Sequence, residues 1–299
     1  MANTANPPFV SGLGDLAPLY RVLLCDVWGV VHDGASQHRP ATEALTRFRD
    51  GGGRVVFVTN APRPRAAVVE MLDRLTVPHS AYDAVITSGD TARVELAARP
   101  GVRIYHVGPD RDLPIYFGLN VEFGDEDDCD LVSCTGLFDD EKESPDDYSD
   151  SLDRWQARGI PMLCVNPDIV VERGDRLVWC AGALAERYRE RNGETIIVGK
   201  PYAPIYRAAL DEIGRLTGLA VDRASVLAVG DGIDTDIRGA VGQGIDALFI
   251  TGGIHAEVFG DRARPDLSAV HAFLATAGLG ARALMTQLVW DRSAAIADA

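Results

Sequence analysis

The chain has 299 residues, enough for one large domain or two modest ones, and 46% of them are apolar, which supplies a sizeable core. Its formal charge of −15 argues against a nucleic-acid surface, which would need a basic patch, and no run of about 18 apolar residues is present to cross a membrane. Five cysteines stand singly with no C-x-x-C pair, and "MANTANPPFVSGLGDLAPLYR" has neither a basic start nor a long apolar stretch, so the expectation is a cytoplasmic protein with reduced core thiols and no zinc site.

In chain order, "RVLLCDVWGVV" predicts a buried strand that ends on Asp26 and turns through Gly29. "ATEALTRFRDGG" predicts an amphipathic helix, "RVVFVTN" a second strand ending on Thr59 and Asn60, and "PRAAVVEMLDRL" a second helix. Between about Ile86 and Asn192 the alternation is less regular and carries the acidic loops "GDEDDCD" and "DDEKESPDDYSDSLD", read as solvated faces. It resumes with "GETIIVGK", "YAPIYRAALDEIGRLTG", "SVLAVGDG" and "DTDIRGAVGQGIDALFITGG". This alternation of strand and helix predicts an α/β fold: a Rossmann-like parallel-sheet core from residues 1–85 and 196–299, with an α/β cap inserted at 86–195. The glycines of "GAVGQG" fall within a predicted helix rather than after a strand, so they are not taken as a dinucleotide loop.

Four predicted strands of the core end on polar residues: Asp26; Thr59 and Asn60; Lys200; and Asp231 with Asp234 and Asp236. In an open parallel sheet ligands bind beyond the carboxyl ends of the strands, so these tips are expected to converge on one crevice. The residue types suit phosphoryl transfer. Asp26 and Asp231 are hard oxygen ligands of the kind Mg²⁺ takes, and Asp26 is also a candidate nucleophile. Thr59, Asn60 and the neighbouring amides can hold phosphoryl oxygens, while Lys200 binds phosphate too and offsets the charge gathered there. Of 29 basic residues only Lys142 and Lys200 are lysines, which singles out Lys200 further.

"DVWGVVHDG", "VVFVTNAPRP", "VGKPYAPIY" and "VLAVGDGIDTDI" resemble the four ordered motifs of the haloacid dehalogenase-like superfamily, in its class IIA, NagD-like phosphatase branch. The stretch holding "NPDIVV" and "WCAGALAERY" is similar to that branch's α/β cap, so the resemblance covers nearly the whole chain. It implies Asp26 as nucleophile, Thr59 as phosphate ligand and Lys200 as the group orienting both. It also implies a Mg²⁺ site of Asp26, the Trp28 backbone carbonyl and Asp231, with Asp236 supporting it from behind. A small phosphorylated substrate and, since dimers are common in that branch, a homodimer are further implications.

One position departs from the pattern. Most phosphatases of the superfamily carry a second aspartate two residues after the nucleophile, to protonate the leaving oxygen; here it is Trp28. Three readings stay open: His32 or Asp33, in the following hairpin, supplies the proton; the leaving group is acidic enough to depart unaided, as from an acyl, aryl or enol phosphate; or the chain is a non-catalytic metal- or ligand-binding regulatory protein. A dehalogenase would leave the acidic fourth motif without purpose. A phosphonate-cleaving enzyme would need a Schiff-base lysine, for which Lys142 among carboxylates is a poor candidate. Asn166 and Asp168 are expected in a cap turn and as candidate substrate contacts, and Ser88 and Gly89 at the start of the cap as hinge or phosphate-proximal residues.

Overall fold

The computed structural model describes residues 3–173 and 176–291. Along the chain, β1 (Val22–Cys25), β2 (Arg54–Thr59) and β3 (Ala84–Thr87) come first. They are followed by β4 (Val102–Val107), β5 (Val121–Phe123), β6 (Leu131–Cys134), β7 (Met162–Cys164), the antiparallel pair β8 (Val170–Arg173) and β9 (Arg176–Trp179), and β10 (Thr195–Ile197). Then come β11 (Val226–Gly230), β12 (Asp246–Ile250), the two-residue pair β13 (Gly260–Asp261) and β14 (Arg264–Pro265), and β15 (Ala283–Met285). The chain divides into two compact units, one of Met1–Thr59, Val69–Ile86 and Tyr206–Ala299, the other of Asn60–Val68 and Thr87–Ile205.

In the first unit six strands form a sheet in the order β15-β12-β11-β1-β2-β3, with parallel pairing from β15 through to β2. The central strands read as continuous apolar runs, VLLC, VVFV and VLAV, as a sheet covered on both faces requires, and each of these residues is buried. The helix Arg39–Asp50 begins with Pro40 in its first turn, where a missing N–H costs nothing, and buries Ala41, Ala44, Leu45 and Phe48 along one face. Asp83, just before β3, is 5% exposed. It accepts two bonds from Arg49 at 2.9 Å each, one from Arg54 at 3.0 Å and one from the Val55 N–H at 2.8 Å, so one carboxylate ties that helix to β2.

The second unit has its own parallel five-stranded sheet, in the order β10-β7-β6-β4-β5. Two apolar groups fill it: one around Trp155, Tyr188 and the free thiols Cys134 and Cys164, the other around Ile104, Tyr116, Leu163 and Val165. None of the five cysteines is in a disulfide and all are buried, and burial pushes the thiols of Cys129, Cys134, Cys164 and Cys180 up, so these four pack as apolar side chains. No helix among the described residues is long and apolar enough to cross a membrane.

Candidate active site

The carboxyl end of the six-stranded sheet builds the first cluster. Cys25 lies level with Val229 on one side and Phe57 on the other, so Asp26 emerges beside Gly230 and Asp231 and beside Val58 and Thr59. The Asp26 N–H donates to Val229 O at 2.8 Å, which extends the ladder one residue past the strand and fixes where the side chain leaves the sheet. Asp26, Thr59, Asp231 and Asp236 are all buried. Carboxylate oxygens of Asp26, Asp231 and Asp236 lie within 4.8 Å of one another.

The glycines around them explain the motif spelling. Gly29 has φ +82°, and a side chain there would put its Cβ 2.2 Å from Asp231 Oδ2; a Cβ on Gly253 would fall 1.9 Å from the same oxygen. Asp231 is therefore held in a slot with no room to swing, and its Oδ2 accepts the Ile254 N–H at 2.8 Å. Asp236 Oδ2 accepts the Gly232 N–H at 3.1 Å. Gly253 and Ile254 were not singled out in the sequence. Their signal is "TGG" directly after β12, at the same sheet end as the motifs that were.

Three buried carboxylates this close repel one another, and the charge they concentrate suits a cation. The donor set fits Mg²⁺: hard oxygens, few in number, leaving positions for water and substrate. Asp26 and Asp231 would hold it, with Asp236 close by.

The hairpin after β1 is tightly made. Gly29 N–H donates to His32 O at 2.8 Å, and the Trp28 and His32 rings meet edge-on with centroids 4.9 Å apart. Trp28 is partly buried, and its six-membered ring fills the space beside Gly34, where a Cβ would be 2.7 Å away. His32 is fully buried. Its Nδ1 accepts the Gly34 N–H at 2.9 Å, and its Nε2 has no hydrogen-bond partner among the described residues. Burial, with His38 nearby, lowers its pKa to about 4, so the ring is neutral at neutral pH with its proton on Nε2. Burial alone would raise the Asp33 carboxyl, but hydrogen bonds from Ser36 and Ala35 outweigh it and hold the group below its usual range. Those bonds, 2.7 and 2.8 Å to Oδ1, close the Asp33 loop on itself.

The second unit gathers Asn60, Asp168 and Lys200; the strand leading to Lys200, β10, pairs with β7 of the five-stranded sheet, so Lys200 does not end a strand of the core sheet as the sequence predicts. Lys200 is 3% exposed and Asn60 2%. Asn60 Oδ1 accepts the Lys200 N–H at 2.7 Å, and its Nδ2 donates to Asp168 Oδ1 at 2.8 Å. Asn166 Oδ1 accepts the Asp168 N–H at 3.2 Å, so both belong to one turn, as expected. Ser88 is fully buried and donates through Oγ to Val165 O, and the Gly89 N–H donates to Ala61 O at 3.1 Å. Arg63 Nε pairs with buried Asp112 at 3.0 Å, a contact without sequence signal because 49 residues separate the partners.

The haloacid dehalogenase-like hydrolase family profile matches residues 23–121, and a HAD-hydrolase-like profile matches 197–274. The crystal structure of a hydrolase of the haloacid dehalogenase-like family from Brucella suis 1330 superposes with a TM-score of 0.85 at 44% identity, covering 94% of this chain and all of that one. The acid sugar phosphatase of Staphylococcus epidermidis is 22% identical over 237 residues, 79% of this chain and 88% of that protein. The fold is also similar to that of a Mycobacterium tuberculosis glycerol phosphate phosphatase solved in complex with calcium, with a TM-score of 0.60 and 24% identity, covering 86% and 76% of the two chains. Matched over 94% of its length at 44% identity, the chain belongs to the haloacid dehalogenase-like hydrolases, and its motifs are consistent with the NagD-like class IIA branch. It is thus an enzyme by family, built as a Rossmann-like α/β core with an inserted α/β cap.

Proposed function

We propose that the protein is a Mg²⁺-dependent phosphomonoester hydrolase acting on a small phosphorylated metabolite through an aspartyl-phosphate on Asp26. The observation that carries this reading is the cluster of Asp26, Asp231 and Asp236 carboxylates within 4.8 Å at the carboxyl end of a parallel sheet. The relatives named phosphatases support the substrate class, and the calcium complex supports a divalent cation in this fold. When bound, Mg²⁺ supplies positive charge against the phosphoryl oxygens and the Asp26 carboxylate.

A carboxylate oxygen of Asp26 attacks phosphorus, and the bond from phosphorus to the ester oxygen breaks with its electron pair on that oxygen. Water then adds to the same phosphorus, the bond to Asp26 breaks, and orthophosphate leaves with the carboxylate restored. One proton of that water stays on the phosphate, and the other passes to solvent. Thr59 and the amides after it orient the phosphoryl group, and Lys200 supplies the charge that offsets it.

No group in the hairpin is suited to protonate the leaving oxygen. Trp28 has only an indole N–H, His32 is neutral and buried, and Asp33 is an ionised acceptor closing its own loop. We therefore assign a leaving group that departs as a stable anion, as from an aryl, acyl or enol phosphate. The test is phosphate release from a panel of phosphomonoesters with Mg²⁺, wild type against Asp26→Asn. Release that disappears in the variant is the expected result; no release across the panel, with folded protein that binds Mg²⁺, would replace this reading with that of a binding protein.

A further inference from the structure

The segment that carries Lys200 is held by one side-chain amide. Asn60 Oδ1 accepts the Lys200 N–H at 2.7 Å, and Asn60 Nδ2 donates to Lys200 O at 3.4 Å, so Asn60 reaches both main-chain polar groups of the lysine. The same Nδ2 donates its other hydrogen to Asp168 Oδ1 at 2.8 Å. The orientation of the amide is decided twice over. Flipped, it would set an NH₂ against the Lys200 N–H and an oxygen against the Asp168 carboxylate. Asp168 is itself anchored, its N–H on Asn166 Oδ1 and its carbonyl accepting the Gly182 N–H at 3.1 Å. There is no slack around the clamp: a Cβ on Gly199 would fall 2.5 Å from Asn60 Oδ1 and 2.7 Å from the Pro167 ring.

We propose that Asn60 is a positioning residue for Lys200, and that Asp168 sets the orientation of the Asn60 amide. This rests on the phosphatase reading, in which the Lys200 ammonium offsets phosphoryl charge. A lysine is a point charge on a flexible four-carbon stem, so where its main chain is rooted limits where the charge can act. Both ends of the Asn60 amide are engaged, which makes the side chain a support for Lys200 rather than a contact to substrate. Any phosphate contact from this residue then belongs to its main-chain N–H.

The experiment uses 4-nitrophenyl phosphate and Mg²⁺ with the full chain. Asn60→Ala should lower kcat on the order of ten- to a hundredfold, with KM little changed. The same substitution made on top of Lys200→Met should have almost no further effect, because its action runs through the lysine. An equal loss in both backgrounds would overturn the proposal, since Asn60 would then act on its own. Asn60→Asp sets two carboxylates face to face and should also lower kcat. Adding Asp168→Asn restores a donor opposite the acceptor and should recover most of the rate. A folded double variant that stays as slow as Asn60→Asp alone would equally overturn the proposal, and this pair decides the matter if Asn60→Ala does not fold. Wild-type protein that releases no phosphate, or Asp26→Asn that still does, would instead bring down the phosphatase reading itself.

Discussion

Trp28 stands where the resemblance implies a second aspartate, and its surroundings show how the indole is accommodated there. The indole is wedged between the His32 ring and the space beside Gly34, in a hairpin closed by the Gly29 N–H on His32 O. An aromatic side chain so placed fills volume that a carboxylate would leave open. On the proposed reading no hairpin side chain protonates the leaving oxygen, a step that general acid catalysis ordinarily accelerates by about 10²–10⁴-fold. Rates on a series of aryl phosphates should therefore climb steeply as the leaving phenol becomes more acidic, and a flat series would show that some group does deliver a proton. Trp28→Asp should raise the rate on alkyl phosphates more than on 4-nitrophenyl phosphate and flatten the series. If the variant slows both equally, the indole takes part in binding the substrate.

Among the elements, the join of the helix Arg39–Asp50 to β2 shows how a single buried charge can carry local stability. Asp83 accepts from two arginines and one backbone N–H, and although burial pushes its carboxyl up, these bonds hold it below the usual range. A carboxyl whose pKa is depressed on folding stabilises the protein fully above its unfolded value, near 4, and loses that contribution as pH falls through the lower folded value. Asp83→Asn should cost about 2 kcal/mol at neutral pH. It should also make stability less dependent on pH below 4; chemical denaturation at pH 7 and pH 3 measures both, and equal losses at the two pH values would contradict the assignment.

Asp83 had no signature in the sequence, being a single acid before a strand, whereas Asp26 and Asp231 were legible because each ends an apolar run with a glycine within three residues after it. The strand–helix rhythm was legible for the same reason, since continuous apolar runs of four to six residues have few other uses. What periodicity does not encode is pairing between distant positions. The Asn60–Lys200 clamp spans 140 residues and the Arg63–Asp112 pair 49, and neither leaves a local trace. A proton donor at His32 or Asp33 is one of three readings the sequence leaves open, and the burial of the one and the hydrogen bonds to the other are features that periodicity does not encode.

At the scale of the molecule, a chain of charge −15 packs three carboxylates into one buried cluster, so part of its folding free energy is set by what cation it meets. A ligand that binds only the folded state stabilises it by about 2.7 kcal/mol at a hundred times its dissociation constant. Thermal unfolding should therefore shift upward with added Mg²⁺, fall back with EDTA, and lose this dependence in Asp231→Asn. A melting temperature indifferent to Mg²⁺ in the wild type would place the cation elsewhere.

The near-absence of lysine has a practical consequence for anyone who handles the protein. Of its two side-chain amines, that of Lys200 is sealed in at 3% exposure, while that of Lys142 stands 80% exposed in an acidic loop of the inserted unit, paired with Asp139 at 2.7 Å. An amine-selective dye or cross-linker applied to the folded protein therefore finds one side chain to modify, giving a singly labelled cap without any engineering. Appearance of a second labelled lysine on titration with denaturant would report the opening of the clamp around Lys200.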